Sequence, residues 1–162
     1  MNRILCLKDI SMGLFGFFKK REQFDEETIL NQLRSFSKVA LDLAKPEIVR
    51  TGSFLPFGAV LTIDNTLEQV VYHNPETKAV DHREHATIVQ NLIRKKYKEA
   101  NCMLILMAFD GIAHLPAGDI DAITVRVGHK SSNMHRLLTY PYKIVNKKVE
   151  LQDIENPVIQ KV

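Results

Sequence analysis

The sequence predicts an α+β domain: a mainly antiparallel sheet of five to six strands with two helices packed on one face, in the order α-β-β-α-β-β-β with a further short strand at the end. Three observations predict it. Two stretches carry apolar residues at helical spacing. Between them, FLPFGAVLTID turns at Asp64-Asn65 and returns as EQVVYHN, a hairpin. After the second helix comes CMLILMAF, apolar at every position, as in a strand buried on both faces.

The first helix is expected from Asp25 to Ala44. Asp25 suits the N-cap, and Glu26 and Glu27 suit the positive end of the helix dipole. Ile29, Leu33, Phe36, Ala40 and Leu43 make one apolar stripe. Pro46 is expected to stop the helix, because the residue before proline avoids the α region. Phe54–Asp64 and Gln69–His73 read as the hairpin strands. Pro56 sits where a missing donor does least harm, and Gly58 signals a bulge or a close backbone approach. The second helix begins at Asp81, with Glu84 at capping-box spacing. Its buried face is Ala86, Val89, Leu92 or Ile93, and Tyr97; Arg94, Lys95, Lys96 and Lys98 crowd its last turns, and Ala100-Asn101 ends it.

Cys102–Phe109 is the central strand, Gly111–Asp119 a loop, and Ala122–His129 an alternating, half-buried strand. Met134–Tyr140 is the next strand, and it or its neighbour near the C-terminus is expected at an edge of the sheet. Tyr142–Val145 and Lys148–Leu151 form a short hairpin around Asn146. The domain is expected to span residues 24–152, with an arm over 1–23 and a tail over 153–162.

The chain has 162 residues, 45% of them apolar and 25% charged, with a net charge of +3. That length supports a real core, and the balance excludes disordered and fibrous classes. The charge is below that of a dedicated nucleic-acid binder, and the basic run on the second helix lacks interleaved aromatics; a solvated face is expected there, and no nucleic acid. Cys6 and Cys102 are too few for a disulfide framework, so free thiols and a cytoplasmic setting are expected. No apolar run reaches the roughly 18 residues that span a bilayer. Leu14, Phe15, Phe17 and Phe18, followed by Lys19, Lys20 and Arg21, read as an arm folded on the domain rather than a membrane anchor. Met12 opens MGLFGFFKKR, which resembles the start of many small bacterial cytosolic proteins, so Met1–Ser11 is expected to add little to the fold.

The chemistry-bearing motifs are few. There is no GxGxxG, Walker, GxSxG or HExxH spacing, and no cofactor is expected. His82 and His85 stand three apart at a helix start, the nearest approach to a metal pair, but the four ligands of a closed site are not supplied nearby. Asp110 and His114 flank the exit of the central strand, and His129 ends the strand after it. An Asp110/His114/His129 cluster is the candidate for acid–base work if those ends meet.

PFGAVLTIDNTLEQV over 56–70, and DAITVRVGHKSSNMHRLLTYPY over 121–142, together resemble an uncharacterised family of small bacterial α/β proteins with the pattern PFGA-x-L, DAI, His and a final PY. The resemblance covers Phe54 to Leu151. It implies the fold and a bacterial cytosolic setting, and no catalytic residue. Gly128-His129-Lys130 departs from it, standing where the pattern has an acidic residue before the histidine. With no convergent catalytic set, the expected function is a non-enzymatic protein-binding or accessory, immunity-like domain with a protein partner or a second copy. A small enzyme or ligand-binding protein using Asp110, His114 and His129 is the alternative.

Overall fold

Asp25 caps the first helix as its sequence requires. Its carboxylate accepts the Thr28 N–H at 2.8 Å, and α1 then runs Glu26–Thr51. The computed structural model describes residues 4–6, 25–72, 81–153 and 157–162. The arm residues Leu14 to Arg21, and the proposed start at Met12, lie outside them. Pro46 does not end α1, contrary to the sequence expectation. Proline removes the bond to the carbonyl four residues back, here that of solvent-exposed Asp42. Ile48, fully buried beyond the proline, holds the last turn in place. The helix stops instead at Gly52, at φ +83, whose N–H bonds to the Ile48 carbonyl at 2.8 Å.

The strands are β1 (Ile4–Cys6), β2 (Phe57–Thr62), β3 (Leu67–Val70), β4 (Cys102–Leu115), β5 (Gly118–His129), β6 (Met134–Val145), β7 (Lys148–Leu151) and β8 (Val158–Lys161). The helix α2, His82–Tyr97, falls between β3 and β4. The sheet runs β1-β3-β2-β4-β5-β6-β7, with β8 also on β6, and every pairing is antiparallel. The α+β class and the helix–strand order are as the sequence predicts.

Four details differ. Eight strands are described where five to six were expected; the extra ones include β1, within the segment expected to add little, and β8, within the expected tail. The expected loop Gly111–Asp119 is mostly strand: β4 and β5 pair out to Leu115 opposite Gly118, leaving a two-residue turn. Of the two edge candidates, β6 is internal, since β8 covers residues 136–139 and β7 covers residues 142–145 on the side away from β5, while its neighbour β7 ends the strand order.

The fourth concerns the helices, which lie on opposite faces of the sheet rather than on one. Successive strand residues point to opposite faces. Phe57, Ala59 and Leu61 join Leu104, Leu106, Ala108, Val125 and Val127 in a core with Leu33, Phe36 and Ala40 of α1. Val60, on the other face of β2, packs with Val89 and Ile93 of α2. A bulge sharpens the division. Leu61 pairs with Leu104 but Thr62 pairs with Cys102, which leaves Met103 as an extra residue. Met103 joins the α1 core, and Cys102 turns to the α2 side. In the α1 core Ser37 and Tyr140 share a buried hydrogen bond between their hydroxyls.

Candidate functional site

Antiparallel register places the three acid–base candidates. His129 sits opposite Leu104, six residues along β4 from Asp110 and ten from His114. At about 3.4 Å per residue, those separations are roughly 20 and 34 Å. The three side chains share no site, and the acid–base cluster is not assembled.

Each candidate has a local partner instead. His114 Nδ1 lies 2.7 Å from the Asp119 carboxylate, both side chains exposed across the β4–β5 ladder. His129 is buried, and its Nδ1 accepts from the Ser132 N–H at 3.2 Å and from the Ser132 hydroxyl at 3.0 Å, closing the β5–β6 turn. Asp110 is half-buried. Burial pushes its carboxyl above the usual range, against a 3.4 Å hydrogen bond donated by the Tyr142 hydroxyl; the charge of Asp121 adds to the rise. Burial and the same carboxylates raise the Tyr142 phenol. Beside this pair an open cleft of about 470 Å³ lies between the ends of β4–β5 and β6, lined by Ile112, Asp121, Tyr142 and Ile144 among others.

His82 and His85 do not face a common point either. Asp81 caps α2 by accepting the Arg83 N–H at 2.8 Å, which leaves His82 exposed. His85 turns inward and donates from Nε2 to the Pro56 carbonyl at 3.0 Å, with Tyr72 edge-on to its ring. Its Nδ1 is buried without a hydrogen-bond partner. No group of three or more metal-binding side chains occurs among the described residues. His85 belongs to the core stripe His85, Val89, Ile93, spaced by fours, and that spacing is the signal sequence reading passed over.

Burial lowers the imidazoles of His85, His129 and His135 from their ordinary 6.5, with Arg126 adding to the effect at His135. The sign follows from linkage. Unfolded histidines take up protons near pH 6.5 while the folded ones stay neutral, so their contribution is complete above that pH and lost as pH falls below it. Asp110 works the other way and in a lower window, since a raised carboxyl favours the folded state in acid. Urea titrations from pH 8 to pH 5 are expected to show stability falling below pH 6.5, by up to about 1.4 kcal/mol per pH unit for each histidine held neutral. A flat profile over that range would show that these rings titrate normally.

The larger feature was invisible in the sequence: a part of one sheet face that neither described helix covers. Residues directly opposite one another share a face. On the α2 side the rows are Ile105, Gly128, His135; then Met107, Arg126, Leu137; then Phe109, Thr124, Thr139. Helix α2 packs on β2, β3 and β4, and its Tyr97 meets His135 with ring centroids 5.7 Å apart. Beyond Tyr97 none of the described helices covers β5 and β6 on this side. On this face Phe109 and Leu137 are half-buried, Arg126 is exposed and Val158 of β8 on the far rim is 45% exposed, while Thr124, Ala122 and Pro141 are buried.

No helix among the described residues is long and apolar enough to cross a membrane. Comparison with family models, curated proteins and solved structures gives no match.

Proposed function

We propose that this chain is a protein-binding domain, and that the part of the sheet face over β5 and β6 that neither described helix covers is its binding surface. One observation carries the reading: a contiguous platform of half-buried apolar side chains, Phe109, Met107 and Leu137, around an exposed arginine. Apolar surface rimmed by polar groups is characteristic of interaction sites, and arginine beside aromatic side chains is the usual composition of an interface centre. The dispersal of Asp110, His114 and His129 takes away the constellation on which an enzymatic reading rested.

A photo-crosslinking residue tests this in cells of the native host. At position 158, on the rim of the platform, it should give a discrete protein adduct, which a second copy of the chain would also satisfy. At position 49, an equally exposed valine on α1, it should not. Identical adducts from both positions would remove the support for this surface.

A further inference from the structure

We infer that the fork where β5 and β6 part is a docking site independent of the surface proposed above, and that it takes up an extended segment of a protein partner with alternating apolar and basic side chains. The two strands pair only as far as Ala122 opposite Pro141. Beyond that point residues 118–121 of β5 pair with β4, and residues 142–145 of β6 pair with β7. No strand among the described residues lies between the edges they turn toward each other. Proline, which has no N–H, stands where the ladder stops. The cleft of about 470 Å³ described above occupies this fork and has the size of a ligand site. Its walls are residues 119–121 of β5 and residues 142–145 of β6, with Ile112 of β4. Successive strand residues point to opposite faces. A cleft that meets every residue of two such runs is therefore open along their backbone edges. Unpaired strand edges accept an added strand, here one of about four residues.

The side chains of the occupant follow from the two faces of the fork. Tyr142 belongs to the α1 core, so Ile144, two residues on, shares its face. Asp121 shares that face too, two residues from Ile123 of the same core and opposite Ile112. Ile120, Lys143 and Val145 stand on the other face. Eight large apolar side chains are exposed among the described residues, and three of them, Ile112, Ile144 and Val145, line this one cleft. Apolar surface gathered in this way marks a contact site. The α1 face of the fork is also negative. Burial, and with it the charge of Asp121, raises both the Asp110 carboxyl and the Tyr142 phenol. Asp119 is held by His114, but Asp121 enters none of the ion pairs among the described residues. The cation lining the cleft, Lys143, stands on the opposite face, across the ladder from Glu150. A lysine or arginine on the α1 side of an inserted strand would lay its aliphatic stem on Ile112 and Ile144 and bring its charge to Asp121. The residues before and after it would meet Ile120 and Val145, which suits valine or isoleucine.

The probe is a fluorescein-labelled synthetic peptide of about six residues, alternating valine and lysine, titrated by anisotropy against the full chain. It should bind saturably. Asp121→Asn should weaken it about fivefold, while Asp42→Asn on α1, also exposed, leaves it unchanged. Asp121 is exposed, so its variant should melt with the parent. A peptide N-methylated at alternate residues, unable to donate to a strand edge, should bind the parent at least about tenfold more weakly. Hydrogen exchange with the unmodified peptide bound should slow at amides of residues 118–121 and 142–145. Equal binding by Asp121→Asn, equal binding of a peptide with glutamate in place of lysine, equal binding of the N-methylated peptide, or no saturation below about 1 mM each overturns the inference. Equal protection of the same amides by butylammonium would make the occupant a small amine. The same protection on concentrating the chain without peptide would make it a second copy. Either result overturns the assignment to a partner's strand.

Discussion

Replacing Leu106 with alanine should cost the fold about 2–5 kcal/mol. The side chain is fully buried midway along β4, in a row with Ala59 of β2 and Val127 of β5. It faces the α1 core. Neighbours on both flanking strands are fixed by the ladder, so collapse into the vacated space is limited and a cavity term adds to the lost transfer energy. A urea titration should show a lower midpoint with an unchanged slope, the mark of altered stability without altered compactness. Ile112→Ala, on the same strand but 59% exposed, is the matched control and should stay within about 0.5 kcal/mol. Similar costs at both positions would mean that Leu106 is not where the core is most constrained.

Gly58→Val should be the second large effect, about 1–3 kcal/mol from overpacking. A Cβ built at Gly58 falls 2.4 Å from Ile93 Cδ1, 2.7 Å from its Cγ1 and 3.1 Å from the Leu106 carbonyl oxygen. The glycine is therefore the seat of α2 on the sheet. Ile93 must leave its position or the helix must lift. A Gly58→Val/Ile93→Ala double variant should recover part of the loss, because it removes the group in the way; strictly additive costs would show that the two residues do not compete for the same space.

Gly58 also illustrates what a single sequence discloses. A glycine inside an apolar run announces a close approach, and one is found. The approaching partner, Ile93, was on the expected buried face of α2. The side of the sheet was harder. A strand apolar at every position, such as Cys102–Phe109, needs cover above and below, so the run itself argued against two helices on one face. The Met103 bulge then reverses which residues look up and which look down, and no residue type there announces it. Pro46 misled because a proline's cost depends on whether the orphaned carbonyl can reach water, a property of the folded surface. The position of β6 was illegible for a related reason: its second neighbour comes from residues 158–161, distant in sequence and weakly patterned.

The site was less legible than the fold. His114 and His129 carry the residue types of acid–base chemistry, yet antiparallel pairing sends them to opposite ends of one hairpin. Arg126 reads in sequence as the polar half of an alternating strand, a solvated side chain like any other. Its meaning depends on α2 stopping one strand short of it, and a register of long-range pairs decides that.

The unequal anchoring of the two helices has a kinetic consequence. Helix α1 buries ten residues, while α2 buries His85, Val89 and Ile93. Elements with few buried contacts open independently of the whole, at a free energy below that of global unfolding. Amide hydrogens along α2 should therefore exchange with solvent through a partial opening that leaves α1 and β4–β6 closed. In that opened form Gly58 and Val60, which α2 covers in the closed fold, would come within reach of solvent or a partner.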